Sequence, residues 1–457
     1  MTRSAPSLGA EALRSRAIPS AAVLKPCLTA LAVYGALCVS YVFGISAVVG
    51  DDHYPLSVSS EKIALGGVVT LFLAAIAGDA ARPASLLSWM FVTIIVLPSL
   101  VMAGCGGFPI EFAALAVSAF VVCAAASRLR LPLCLLNGFI RADVAEFGSL
   151  ALSIAVLAVL ATTVGRSGFN VDLSEVYAFR ASATESMSPA LLYLVHACTK
   201  VMLPAALCFA LHDRSVLRAS FCLVTCFMFF GLSGHKAILA YPFVTGAAFV
   251  LANSRHAPLL LMGSLVTLCA VGTIDLLDYD SRGQSSAARG WIGYALLRGS
   301  LFQPTLLNYY YWDFFSTTKD FLFWSESRVT LGLVTSPLRD RLVFTIGKVY
   351  FAQPEMAANT GLIGSGFANA GVLGVSLYAL LLGTSFSWLD SLRRKLPSSI
   401  ICGIAATPVL TVLTGTDMPT ALLTHGGLAA IFLLFALRTP RENLASIRSS
   451  TESPPRR

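Results

Sequence analysis

Phe147 to Gly165 reads FGSLALSIAVLAVLATTVG, nineteen residues without a charge, an amide or an imidazole. About 20 helical residues at 1.5 Å each cross the roughly 30 Å hydrocarbon layer of a bilayer, so this stretch has the length of a membrane span. Its apolar residues run on without alternation, which excludes a strand of a membrane β-barrel. Scanning outward finds eleven more such runs. With this one, the segments lie at about 28–50, 63–78, 86–104, 110–127, 147–165, 189–211, 219–232, 237–252, 257–274, 366–386, 399–416 and 420–437. The whole chain agrees: 56% of its 457 residues are hydrophobic and 12% charged, a balance that excludes a soluble domain of this length. The expected fold is therefore all-α, a polytopic integral membrane protein of about twelve transmembrane helices.

The formal charge is +8, but the basic residues stand in small groups beside apolar runs rather than on one polar domain, which argues against a nucleic-acid partner. Their placement reports topology instead. With the N-terminus inside, Arg3, Arg14, Arg16, Lys25, Arg82, Arg128, Arg130, Arg141, Arg214, Arg218, Arg255, Arg393, Arg394 and Lys395 all fall on the cytoplasmic side. Both chain ends are thus expected inside. The run from Cys27 to Gly50 is too long for a cleaved signal and reads as a retained first span. The expected division is a cytoplasmic segment 1–27, membrane helices 1–9 over 28–274, a large extracytoplasmic loop 275–365, membrane helices 10–12 over 366–437, and a disordered cytoplasmic tail 438–457. Spans seven and eight are short and separated only by Ser233 to Lys236, so they read as a tight hairpin or a broken pair. The eleven cysteines lie mostly inside apolar runs with no Cys-x-x-Cys pair, and read as small hydrophobes rather than metal ligands.

The loop 275–365 carries eight basic residues and a crowd of aromatics, among them Trp291, Tyr309 to Trp312 and Phe321 to Trp324. It is too apolar for disorder. Short amphipathic helices on the outer face are expected, with aromatics at headgroup level and arginines turned toward a cleft.

Four patterns carry a likeness. They are Val176-Tyr-x-x-Arg180; Gly231-x-x-Gly-His-Lys236; Gln303-Pro304 followed by Asn308-Tyr-Tyr-Tyr-Trp-Asp-Phe-Phe315; and Asn359-Thr-Gly-Leu-Ile-Gly-Ser-Gly-Phe-Ala-Asn-Ala-Gly-Val-Leu-Gly374. In these, over roughly its C-terminal two thirds, the chain resembles the Wzy-type oligosaccharide repeat-unit polymerases of bacterial surface polysaccharide synthesis. The resemblance implies a metal-independent, cofactor-free glycosyltransferase of the bacterial inner membrane. It would join repeat units carried on undecaprenyl diphosphate into O-antigen, capsule or exopolysaccharide at the outer face, beside a chain-length regulator and a flippase of the same pathway.

The residue chemistry is compatible with that expectation. A lipid diphosphate is a good leaving group, so the main demand is to stabilise negative charge as the glycosidic bond breaks, which arginine does through a planar fork of donors. Arg180, Lys236, Arg289 and Arg298 are the candidates, although Arg289 and Arg298, nine apart, fall on opposite faces of a continuous helix. The alternative pairs such arginines with Asp278, Asp280, Asp313, Asp320, Glu326, Asp340 and Glu355, or with lipid headgroups. His235, Asp313 and Glu326 are candidates for the base that accepts the acceptor hydroxyl's proton, and spacing does not choose between them. Lys200, near the middle of the sixth span with His196 one turn earlier, marks a polar stripe facing the bundle; a buried contact to a neighbouring carbonyl is the alternative.

Tyr310, Tyr311 and Trp312 suit sugar faces, with interfacial anchoring as the alternative. Asn308, Asn359 and Asn369 are candidate substrate contacts, whereas the glycines around the latter two suit close packing. Asp278-Tyr-Asp280 is a weak metal pattern, and Asp51-Asp-His53 is an equally weak signal, an acidic pair in the first outer loop, where lipid-linked sugar transferases often place an acidic residue. Gly231 to Lys236 lacks the spacing of a phosphate loop. Two other functions compete with the polymerase: an O-antigen-ligase-like transferase, and a polysaccharide flippase or other twelve-span transporter. The transporter is disfavoured by the scarcity of charge at mid-span and the lack of an internal repeat.

Overall fold

The structure, a computed structural model, describes residues 20–50, 53–78, 82–129, 138–165, 168–172, 176–281, 290–318 and 320–438. Arg289, the pair Asp51–Asp52, Arg166, and the parts of the end segments before 20 and after 438 lie outside the described residues. Among the described residues the chain is helical, with no β-structure beyond two isolated bridges, Ser57 with Gly106 and Ile140 with Leu437.

Among the described residues eight helices are long and apolar enough to cross a membrane: α1 (Leu24–Val49), α2 (Ser60–Ala77), α3 (Pro83–Cys105), α5 (Ala142–Val164), α7 (Pro189–His212), α8 (Val216–Ser233), α10 (Ala257–Ser281) and a helix that continues from Leu362 to Arg394. Shorter apolar helices are α4 (Ile110–Ala126) and α9 (Ala237–Asn253). All twelve apolar runs of the sequence lie on helices, the tenth broken at Ala370 and Gly371 and the last divided in two. The outer helices expose Phe147, Val159, Ile274 and similar side chains, as lipid-facing surfaces do. In α3, 89% of the apolar stretch is buried against 22% in α5 and α10, so α3 is the central post.

The stretch 275–365 differs from the short surface helices expected of it. A continuous helix, α11, runs through Ile292–Phe302 and Gln303–Thr318. Leu297, Leu301, Phe302, Leu306, Tyr311 and Phe315 on it are buried in the main core. The reason it escaped a hydropathy reading is its polar content, which is satisfied internally. Thr305, fully buried, turns its hydroxyl to the carbonyls of Ile94 and Ile95, halfway along α3.

That contact has a covalent cause. In three helices a widened π turn ends two residues before a proline: Val92–Val96 before Pro98, Cys198–Met202 before Pro204, and Ile292–Phe302 before Pro304. Proline has no N–H, and its ring crowds the carbonyl four residues back, so the turn opens and that carbonyl is freed. For Pro98 the freed carbonyl is that of Ile94, which Thr305 meets. For Pro204 the position four back is Lys200.

Beyond α11 come α12 (Leu342–Phe351), α13 (Leu362–Ser391), α14 (Ser398–Thr414), α15 (Met418–Leu423) and α16 (Gly427–Ala436), while the short helix α6 (Val176–Ser186) precedes α7. Glu326 accepts from the backbone N–H of Leu342 and so starts α12. α13 is not one rod. At Ala370 and Gly371 the backbone leaves helical geometry, with Gly371 at φ +59°, and the short arm before the break folds back on the long one. A methyl group on Gly374 would sit 2.0 Å from the carbonyl oxygen of Gly366. All four ion pairs among the described residues use Arg82, Arg141 or Arg218, three arginines that the charge pattern assigns to the cytoplasmic side.

Candidate functional site

The first place where separated segments converge lies around Lys200. The side chain is buried on α7 and its Nζ stands 2.7 Å from Nδ1 of His425, which belongs to the turn between α15 and α16. The His196 ring, one turn earlier on α7, packs at 4.4 Å on the His425 ring and at 5.9 Å on that of His235. His235 and Lys236 occupy the turn between α8 and α9. Two glycines make this convergence possible. Gly234 ends α8 in the left-handed region, φ +67°, and approaches α6 so closely that a methyl group there would stand 3.1 Å from the Cα of Arg180. Gly426, φ +89°, brings the His425 turn onto Val201, against which its own methyl group would stand 2.7 Å away.

Arg180, Lys200, His235 and Lys236, chosen separately along the sequence, are thereby brought to one region with His196. Burial, then the Arg180 and Lys200 charges, push His235 down to about 4, so its ring is neutral near pH 7. Its Nε2 is buried without a hydrogen-bond partner among the described residues. A neutral imidazole beside fixed positive charge can take a proton from a substrate hydroxyl or donate a hydrogen bond to an anion.

A second cluster surrounds α11. Tyr310 stacks on Tyr350 at 4.3 Å and its hydroxyl meets Nδ1 of His53 at 2.6 Å. Tyr350 donates to Asp313 at 2.6 Å, and beside them a cavity of about 230 Å³ is lined by Gly106, Phe108, Tyr309, Tyr310 and Tyr350 among others. The Arg298 guanidinium lies 5.5 Å from the centre of the Tyr54 ring, with Nε buried and unpartnered among the described residues. Arg298 therefore stands with this aromatic set. Trp312 packs against Phe112 and Phe367.

Three of the remaining candidates, Asn308, Tyr311 and Asn369, tie α11 and the following segment to the first part of α13 and the residues just before it. Asn308 donates to the Pro304 carbonyl and accepts from the N–H of Gly364, so both ends of its amide are engaged. Tyr311 donates to the Ala358 carbonyl. Asn369 accepts from the N–H of Trp324 and donates to the Ser365 carbonyl, while Tyr378 donates to Asp417 at 2.6 Å and Asn369 reaches the same carboxylate at 3.3 Å. Asn359 is exposed. His425 and Asp417 were not singled out from the sequence. Neither stands near another polar residue of an evident motif, and the Lys200 contact of His425 joins positions 225 residues apart. Among the described residues no three His, Cys, Asp or Glu side chains converge as metal ligands.

No protein-family model matches this chain, nor does any curated protein or solved structure.

Proposed function

We propose that this multi-pass membrane protein is a glycosyltransferase of the Wzy type. It joins oligosaccharide repeat units carried on undecaprenyl diphosphate into a surface polysaccharide at the outer face of a bacterial inner membrane. One observation carries the reading. The Val-Tyr-x-x-Arg and Gly-x-x-Gly-His-Lys patterns, fifty residues apart, meet at Gly234 and Arg180 and join a buried lysine and three imidazoles.

In the proposed reaction the acceptor sugar's hydroxyl oxygen attacks the anomeric carbon and inverts it. The bond from that carbon to the diphosphate breaks, its electron pair leaving with the diphosphate, and the hydroxyl proton passes to His235. Arg180, Lys200 and Lys236 stabilise the charge that develops on the leaving group. His235 is preferred as base because Asp313 is engaged by Tyr350 and Glu326 by Leu342.

Arg180→Ala should abolish long-chain glycan and leave single repeat units on the acceptor, with the protein still in the membrane; a normal polymer ladder on a gel of surface glycans would defeat the proposal. Long chains retained on the carrier lipid would instead indicate the ligase-like transferase. The transporter reading gains one observation that the sequence lacked: broken helices, in α13 and between α15 and α16, with a buried lysine beside the latter. Repeat units accumulating on the inner leaflet of a deletion strain would favour it.

A further inference from the structure

Beside the basic cluster lies a second cavity of different character. It measures about 250 Å³, and Val329, Leu381, Leu422, Leu423 and Leu428 line it, with Tyr378 at its back turning its hydroxyl away to Asp417. The loop at its lip is apolar and exposed: Val329 is 57% exposed, Leu331 85% and Leu333 86%, which suits contact with hydrocarbon rather than water. The same short turn belongs to both places. Leu423 and Leu428 face the cavity, while His425, two residues or no more than about 7 Å of chain from Leu423, bonds to Lys200. Lys200 is met there by an imidazole rather than a carboxylate, so the partner at its Nζ brings no negative charge of its own.

An apolar recess joined to a buried cation through one turn fits an anionic lipid lying across that turn, chain on one side and head on the other. We propose that the recess takes the isoprene units next to the diphosphate of the polyprenyl diphosphate carrier and that Thr424 to Gly427 is the point where chain gives way to diphosphate. This rests on the function proposed above. A diphosphate carries more charge to meet the basic residues around Lys200 than one phosphodiester does.

The test uses the full chain in nanodiscs and undecaprenyl diphosphate bearing a diazirine in its chain. Label is expected on Val329, Leu381 and the Leu422–Leu428 peptide, displaced by unlabelled undecaprenyl diphosphate and not by dioleoylphosphatidylglycerol. Leu428→Trp and Val329→Trp, at half-exposed and exposed positions, should each cut labelling at least tenfold with unchanged elution of the protein. Label elsewhere, equal displacement by phosphatidylglycerol, or full labelling of both tryptophan variants overturns the inference. The two proposals fail separately. Labelling of the recess in a protein whose deletion leaves surface glycan intact removes the polymerase reading alone; glycan lost in Arg180→Ala without label in the recess removes this one alone.

Discussion

Gly234 holds a left-handed conformation that costs an L-residue about 1–2 kcal/mol, and a methyl group there would also press on Phe179 and Arg180 at 3.0 and 3.1 Å. Gly234→Ala should therefore lower the thermal midpoint in detergent and reduce polymer length together, because it moves Arg180. His235 has its folded value at about 4 and an ordinary value of 6.5. The folded state thus favours the neutral ring, and the unfolded chain binds the extra proton between those values. Stability is complete above about pH 6.5 and falls as pH drops toward 4. His235→Gln should flatten that limb of a pH–stability curve measured by thermal unfolding; an unchanged slope would contradict the assignment. The Lys200–His196 pair was legible in the sequence because the two share one helix face. His425 was not, because nothing local to it signals a partner 225 residues away along the chain.

Among the helices, α11 and α3 show what hydropathy reads and what it misses. Long uncharged runs such as α5 declare themselves, since burial in lipid leaves no other use for them. α11 contains Arg298, Asn308 and Asp313, and it is buried all the same because Thr305, Asn308 and Tyr311 each find a partner within the bundle. The prolines were the available signal. A proline four residues after Ile94 guarantees an unmade backbone bond, and Thr305 answers it. Thr305→Val should cost about 1–3 kcal/mol by leaving that carbonyl unsatisfied. In a Pro98→Ala background, where the helix can close its own bond, the same change should cost less. A double-mutant cycle on unfolding midpoints measures the difference, and additivity would refute the coupling.

For the molecule as a whole, the arrangement of charge predicts sidedness. The proposed reaction needs the Arg180 segment and the loop after α11 outside, with the arginine-bearing ends of α5 and α8 inside. In a cysteine-free background, Ser336→Cys should react with a membrane-impermeant maleimide on intact cells, whereas His256→Cys should react only after permeabilisation. The reverse pattern would place the basic cluster where polymerisable substrate never arrives.

The reversal at Ala370 and Gly371 carries a mechanical consequence. Gly366 and Gly374 meet as bare backbone, and Asn369 ties the tip to Trp324 and Asp417. Two segments in such contact can separate only by forfeiting the whole seam at once, so the short arm behaves as a fixed wedge and not as a door. Through the bonds of its tip, the segment around Trp324 and the turn that begins α15 are carried with the wedge as one body.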